Sequence, residues 1–475
     1  MTHGLPPPEG LYSFCCPVEH ARYYNEHCWG PEDADEVLHH YDALRQVHGQ
    51  DLPISIAEEI LDEFAAVAQP HAAPDVGAAA VDRGPPRRRR SAAFFRCCYP
   101  ELRKLLRSPD PAGILHPKLR QKVDDDAAIW QAAGQAQKGS MTAAPDPPPE
   151  GLCELSFAAS GARYRGTCSE QWKFYGFYMA IEALLANDPT LLRELEGRAL
   201  LAGLNESLPL FRHSGEACGR GCELLELPAL PVMGFAKVPG RPGVLLAHEL
   251  ERANVWLEAA AAANSAAAAN RTASRRLCWR GQLERGVDLA EYAVGAQPLL
   301  DRHNWRSQPR ARLVALGKEM PELDAKFTAV SSTATPGDSE FIAHEIRGEG
   351  LLVARTPLEG LLHTCGAVAV VDGPSWASNL ISALAIDSVT FRARGFEDVD
   401  LWLSTALQAG THFLVFDLDA EALRRAMRDS SRGLGARVLR ESRDFAFAHL
   451  TGEMQLLQVW YVLRVLVARL PFGAR

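Results

Sequence analysis

The chain has 475 residues, of which 47% are hydrophobic, so it is long enough to bury the cores of two or three globular domains. Its formal net charge of −9 argues against a nucleic-acid-binding protein but leaves room for a local basic pocket. No apolar stretch is long and clean enough to predict a membrane-spanning helix, and the opening residues lack the pattern of a signal peptide.

The cysteines do not form a metal-binding pattern. The chain has 11 of them, including the adjacent pairs Cys15-Cys16 and Cys97-Cys98 and the pair Cys218-x-x-x-Cys222, and no pair is matched by a second one with zinc-ligand spacing elsewhere. The odd number leaves at least one free thiol in a monomer. We therefore expect a mixture of free and disulfide-bonded cysteines and predict no metal site.

Residues 1–150 are predicted to form an N-terminal extension that is α-rich and partly disordered. Ser55–Ala68 has the apolar periodicity of a helix. Pro70–Arg90 is rich in Ala, Pro and Gly and ends in a run of arginines, which is typical of a solvated linker. A second Pro-rich linker, residues 134–150, predicts a domain boundary near Pro149.

From Gly151 onward, apolar runs predict alternating strands and helices, which is typical of an α/β fold. The Ala-rich segment Glu258–Asn270 is predicted to be a helical spacer or a flexible insertion. The other predicted elements are helices at Trp172–Asp188 and Trp305–Met320, and strands at Ala199–Leu204, Leu230–Ala236, Leu277–Gly281 and Leu323–Ala329.

A strand, a tight turn, a helix and a second strand are predicted between Gly366 and Phe391. Ala367–Val371 is a short apolar run of β-branched character, and Asp372-Gly373-Pro374 breaks it. Ser375 then stands in the position of a helix N-cap, and Val389–Phe391 forms the next strand. This is the βαβ unit of a nucleotide-binding sheet, in which the N–H groups at the helix start can hold a phosphate.

Other motifs stand around this unit in a defined order. LCWRG at Leu277–Gly281 places an arginine at the end of a strand. Arg310-x-x-Leu313 opens a helix, and Pro321-x-Leu323-Asp324-Ala325 follows it. HFLVFD at His412–Asp417 predicts a further strand, and Arg437–Val462 predicts closing helices.

Together, these motifs resemble glycosyltransferase family 90, the CAP10-like capsule-associated xylosyltransferases and KDEL-tailed protein O-glucosyltransferases. The resemblance spans about Gly151–Val467. It implies a GT-B architecture with two Rossmann-like domains facing a cleft. It also implies inverting, metal-independent transfer of glucose or xylose from a UDP-sugar to a hydroxyl of a protein or glycan. The UDP-sugar is the donor substrate, and no separate cofactor and no nucleic-acid partner are expected.

Arginine is suited to binding a leaving diphosphate because its planar guanidinium can donate two parallel hydrogen bonds to phosphate oxygens. Glu206, in the loop after the predicted strand Ala199–Leu204, is the candidate general base, since Ser207 occupies the family's aspartate position. The resemblance and this chemistry together assign the donor site to Arg280, Gly281, Arg310, Asp372, Gly373, Ser375, Ser378 and Asn379.

Two of these positions depart from the family pattern. Asn379 stands where the family has an arginine, and Glu206 and Ser207 replace the aspartate. These changes support an alternative hypothesis, a pseudoenzyme of the same fold that binds a glycan, a nucleotide or a protein. If the cleft uses another cation, Lys237, directly after a predicted strand, is the first candidate. A nucleotide-binding α/β protein unrelated to sugar transfer is the third hypothesis.

The predicted domains are residues 1–150, the N-terminal extension; 151–303, the acceptor-side Rossmann-like domain; and 304–475, the nucleotide-sugar domain with closing helices. The family implies the lumen of the endoplasmic reticulum and the secretory pathway, but neither a signal peptide nor a retention tail is visible in this sequence.

Overall fold

The structure is a computed structural model. It describes residues 101–136, 152–158, 161–165, 177, 180–181, 183–185, 187–203, 230–247, 253–270, 276–284, 300–330, 336–354, 361, 364–373, 377 and 379–469. The predicted helix Ser55–Ala68 and the candidate residues Glu206, Ser375 and Ser378 lie outside this part of the chain.

The fold is mixed α/β, with two five-stranded sheets and one two-stranded ladder among the described residues. The strands are β1 (Cys153–Ala158), β2 (Gly161–Arg165), β3 (Ala199–Gly203), β4 (Val232–Gly234), β5 (Ala236–Lys237), β6 (Val244–Leu245), β7 (Leu277–Leu283), β8 (Leu323–Val330), β9 (Ala367–Val370), β10 (Val389–Ala393), β11 (Asp400–Leu401) and β12 (Leu414–Phe416).

The α-helices surround these sheets. They are α1 (Leu102–Leu106), α2 (Pro111–Ile114), α3 (Pro117–Ala136), α4 (Pro189–Leu195), α5 (Ala253–Asn270), α6 (Pro309–Glu319), α7 (Pro336–Gly348), α8 (Leu380–Ala385), α9 (Ala420–Asp429), α10 (Gly435–His449) and α11 (Gly452–Arg469). Within the described ranges, none of them is both long and apolar enough to cross a membrane.

The first sheet has the order β2-β1-β3-β4-β6 and is mixed. β1 pairs antiparallel with β2 and β3, whereas β3, β4 and β6 are parallel to one another. The C-terminal helix α11 returns to this sheet, where Gln458 accepts from Ala247 N and donates to Leu245 O. This side chain thereby satisfies main-chain groups at and beside β6, which forms the edge of the sheet.

The second sheet has the order β12-β10-β9-β7-β8 and is parallel throughout. The predicted strands Ala367–Val371 and Val389–Phe391 are confirmed as the parallel neighbours β9 and β10, with α8 between them. β9 is apolar along its whole length because both of its faces are covered. Ala367 and Ala369 pack in the core that includes α6, whereas Val368 and Val370 pack in the core that includes α8.

The predicted helix Trp305–Met320 is interrupted. Trp305–Ser307 is a short 3₁₀ turn, and α6 starts at Pro309. Proline has no N–H to lose at the first helical position, but its ring disfavours helical torsions in the preceding residue. Gln308 accordingly has the extended torsions φ −64° and ψ 145°.

The Ala-rich segment, for which a helical spacer and a flexible insertion were the two predictions, is part of the helix α5. Asn264 in this helix is buried and donates to Ala385 O at 3.0 Å. Its side-chain oxygen accepts from Asp387 N at 2.6 Å. The small alanines let the helix lie close to the βαβ unit, and the single asparagine satisfies main-chain groups at the end of α8.

Two further features hold distant segments together. A disulfide joins Cys278 on β7 to Cys365, just before the neighbouring strand β9. The short antiparallel ladder of β5 and β11 connects the part of the chain that forms the first sheet to the part that forms the second.

Candidate functional site

The order of the second sheet creates a topological switch point between β7 and β9. From β7 the chain continues to β8 on one side, and from β9 it continues to β10 and β12 on the other. In open parallel sheets, ligands bind in the crevice outside the carboxyl ends of the strands at such a point. Glu284 follows β7 and Asp372 follows β9, so these two carboxylates border this crevice.

Arg310 spans the crevice from the first turn of α6. Its Nε donates to Val371 O at 3.1 Å, after β9, and its Nη1 donates to Gln282 O at 3.1 Å, on β7. Nη1 also forms an ion pair with Glu284 Oε2 at 2.5 Å. The side chain is 10% exposed, so the guanidinium is a largely buried cation at the switch point.

Gly373 lies against this ion pair. A Cβ at this position would stand 2.5 Å from Glu284 Oε2 and 3.1 Å from Arg310 Nη2. Any side chain here would therefore push the two charged groups apart. The glycine of the Asp-Gly turn thus lets the ion pair of Arg310 and Glu284 lie close to the main chain.

Asp372 is held by its own hydrogen bonds. Oδ1 accepts from Ala377 N at 2.7 Å, which closes the turn after β9. Oδ2 accepts from Arg392 Nη2 at 2.8 Å and from Nε at 3.2 Å. The Arg392 guanidinium also lies 4.6 Å from the ring centroid of Phe396. These contacts account for a turn-forming role of Asp372, whereas its assignment to the donor site stays a prediction.

Arg280 lies apart from Arg310. It donates to Asp324 O at 2.7 Å and forms an ion pair with the Asp324 carboxylate at 2.8 Å, both on β8. At Gly281, which was assigned to the donor site, a Cβ would lie 2.7 Å from the Trp279 ring. The space beside Gly281 is therefore filled by this tryptophan. A phosphate at Arg280 would have to compete with Asp324.

Asn379, the residue that stands at the arginine position of family 90, lies just ahead of the helix α8. It is the exposed N-cap residue of α8, and its side chain makes no capping hydrogen bond. Ala377 is non-helical, and Asn379 has a turn conformation. The short α8 thus extends from Leu380 to Ala385.

Lys237 is not a cation in an open cleft. Its side chain is 1% exposed, and its Nζ donates to Asp126 Oδ1 at 2.6 Å and to Gly243 O at 2.8 Å. Lys122 also donates to Asp126 Oδ1 at 2.6 Å and pairs with Asp400 at 2.6 Å. Burial lowers the pKa of Lys237, against the attraction of Asp126. Lys122, Asp126, Lys237 and Asp400 form what we call the buried charge cluster.

Asp417 and Asp419, the closest pair of aspartates after a strand of the second sheet, both have partners within the protein. Asp417 pairs with Arg394 at 2.6 Å, and Asp419 accepts from Ala422 N at 2.9 Å as the N-cap of α9. Among the residues that the structure describes, no group of three or more His, Cys, Asp and Glu side chains is placed to hold a metal ion.

Glu284 and Arg392 were not predicted as residues of the site. Glu284 lies three residues after the predicted strand Leu277–Gly281, and a carboxylate at the carboxyl end of a parallel strand is a recognisable signal. Arg392 lies near the end of β10, where an arginine in an apolar strand needs a buried partner. Both residues belong to the crevice because their ion pairs border it.

No protein-family model matches the chain, and no curated protein does. Among solved structures, the chain is similar to Alr3699/HepE of Anabaena in complex with UDP-glucose, with 13% identity over 44% of this chain and 52% of that chain and a TM-score of 0.28. The same protein in complex with UDP matches with 11% identity, 45% and 55% coverage and a TM-score of 0.28. The chain spans about half the length of these structures. TM-scores of this size do not establish a common fold.

Proposed function

We propose that this chain is a glycosyltransferase of GT-B architecture that binds a UDP-sugar at the switch point between β7 and β9. Arg310 contacts the diphosphate of the donor, and glucose or xylose passes to a hydroxyl of a protein or glycan. The reaction is inverting and uses no metal ion. The first sheet supplies the acceptor side of the cleft.

The observation that carries this proposal is the buried guanidinium of Arg310 at the carboxyl edge of a parallel sheet. A transferase must stabilise the negative charge that grows on the leaving diphosphate. A fixed arginine in a partly dry crevice does so without reorganising at the moment of reaction. Two main-chain carbonyls hold Arg310 in place, and its sequence context resembles that of family 90.

Glu206 remains the proposed general base for the acceptor hydroxyl. Arg280, Gly281, Asp372, Ser375 and Ser378 remain proposed as further residues of the donor site, with Gly373 giving the close approach described above.

The alternative is a catalytically impaired protein of the same fold that binds nucleotide or glycan. The observation in its favour is the charge balance of the crevice. Arg310 is paired with Glu284 and Arg392 with Asp372, so these four groups sum to zero charge. Asn379 adds no positive charge to this balance.

Calorimetric titration of the full chain with UDP tests the proposal, followed by hydrolysis assays with UDP-glucose and UDP-xylose. A charge-assisted hydrogen bond contributes about 1.5–3 kcal/mol, so Arg310→Ala should weaken UDP binding by about tenfold or more. Arg306→Ala is the matched control, since Arg306 lies just ahead of α6 but is exposed and pairs with Glu345 and Glu349. UDP binding with no turnover of either sugar would favour the impaired protein, and equal affinity in both variants would contradict the site.

A further inference from the structure

Glu284 stands where an anionic ligand of Arg310 would have to bind. Its Oε2 lies 2.5 Å from Arg310 Nη1, and within the described ranges it is the single ionic partner of this arginine. The carboxylate is 18% exposed, so one side of the ion pair is open to the crevice.

Arg310 does not depend on Glu284 for its position. The hydrogen bonds from Nε to Val371 O and from Nη1 to Gln282 O fix the guanidinium plane across the ends of β7 and β9. Nη2 makes no hydrogen bond to any described residue and faces the main chain at Gly373. If the carboxylate left, the arginine would keep its orientation and offer two nitrogens to a replacement anion.

Glu284 is weakly held compared with the other carboxylate of the crevice. Asp372 is tied to a main-chain N–H by one oxygen and to two nitrogens of Arg392 by the other. In contrast, the second oxygen of Glu284 accepts only from the side chain of Gln282, which is exposed. Glu284 and Gln282 can therefore swing away together without breaking a main-chain hydrogen bond.

We propose that the Glu284 carboxylate occupies the position of a ligand phosphate and competes with it for Arg310. Binding of a diphosphate displaces Glu284, and this displacement lowers the affinity of the site for its anionic ligand. The inference rests on the proposed function for the identity of the ligand, a nucleoside diphosphate. It goes beyond that function by assigning a competing carboxylate within the site.

The test is the affinity of the full chain for UDP and for inorganic diphosphate, with and without this carboxylate. Glu284→Gln retains the shape and removes the charge, so we expect both ligands to bind about tenfold more tightly than to the unaltered protein. Glu345→Gln is the matched control, because Glu345 pairs with Arg306 on the surface at 3.0 Å. It makes the same change in net charge and should leave both affinities unchanged.

A double-mutant cycle separates competition from a general effect of charge. In an Arg310→Gln background, the gain in ligand affinity from Glu284→Gln should largely disappear, because no arginine remains for which the carboxylate and the ligand could compete. The double variant also leaves no unpaired charge from this pair. An equal gain in both backgrounds would overturn the proposal. If Glu284→Gln folds poorly, Glu284→Asp can be measured instead. It keeps the charge, but its shorter side chain moves the carboxylate away from Arg310, so both ligands should still bind more tightly.

The remaining outcomes distinguish this inference from the proposed function. If the unaltered protein binds UDP and Glu284→Gln binds it no more tightly, the inference fails and the proposed function stands. If Glu284→Gln strengthens binding of inorganic diphosphate while neither protein binds UDP, the inference stands and the proposed nucleotide ligand is wrong. If neither protein binds either anion, both are wrong.

Discussion

Removing Asp126 should destabilise the protein strongly, because this carboxylate joins the buried charge cluster. It is 1% exposed and accepts at 2.6 Å from both Lys122 and Lys237. Its other oxygen accepts from Leu245 N at 3.2 Å. Asp126→Asn leaves two buried ammonium groups with Asp400 as the remaining carboxylate of the cluster, so one positive charge loses its counterion.

Breaking a buried ion pair by removing one partner costs about 3–5 kcal/mol, which is the loss we expect for Asp126→Asn. The double variant Asp126→Asn/Lys237→Met removes one charge of each sign and keeps the pair of Lys122 and Asp400 at 2.6 Å. It should recover a large part of the loss, with a coupling energy of about 1.5–3 kcal/mol. The exposed neighbour Asp125 is the control, since Asp125→Asn should change stability by less than about 0.5 kcal/mol.

Urea unfolding followed by tryptophan fluorescence, with thermal melting as a second probe, measures these effects. The cluster joins α3, β5 and β11, so its loss should lower the midpoint of the whole transition rather than create an early local phase. A loss below about 1 kcal/mol for Asp126→Asn, or no recovery on adding Lys237→Met, would refute the electrostatic reasoning.

Three further predictions concern the site and the response to pH. Under the proposed function, Asn379→Arg adds a cation at the exposed start of α8 and should raise turnover of UDP-glucose or UDP-xylose by about tenfold or more. Asn379→Gln is the neutral control, and equal rates in both variants would contradict the reasoning. UDP binding should persist in excess EDTA, since Arg310 supplies the positive charge. A loss of UDP binding in EDTA that manganese restores would instead indicate a metal site, with Asp417 and Asp419 as its first candidate ligands. The free energy of unfolding should fall between pH 7.5 and 5.5, owing to His116, His412 and His449.

The sign of this pH effect follows from the packing of the three histidines. His116 and His449 stack edge to face at 5.0 Å, and His412 and His449 both pack on the Phe445 ring. Burial lowers the pKa of each imidazole from 6.5, and neighbouring histidines and Lys118 add repulsion, while Glu441 partly opposes the shift at His412.

Between the lowered folded pKa values and 6.5, the unfolded chain therefore binds more protons, so stability rises with pH. The stabilisation is present above the unfolded pKa and is lost as the pH falls toward the folded values. Replacing the three histidines by glutamine should flatten the dependence, whereas the exposed His344→Gln should leave it unchanged. An unaltered slope in the triple variant would contradict this assignment.

Much of the fold follows from signals that act within a few residues. The apolar run Ala367–Val371 forms β9 because its torsions and its two buried faces suit a central parallel strand. Asp419 caps α9, since its carboxylate reaches an N–H three residues ahead, and aspartate is a preferred N-cap residue. Pro309 likewise begins α6. Such preferences belong to the local backbone and need no knowledge of the partner elements.

The partners of the charged side chains were decided only by the tertiary structure. Arg310 pairs with a glutamate 26 residues away, and Lys122 pairs with an aspartate 278 residues away. Lys237 was predicted beside a cleft, but its strand carries it into the interior, where Asp126 holds it. A charged residue does not follow the apolar periodicity of its element, and its local torsional preferences do not indicate which residue will be its counterion. Its partner depends on strand order and on which helix covers which face of the sheet, and these are properties of the assembled fold.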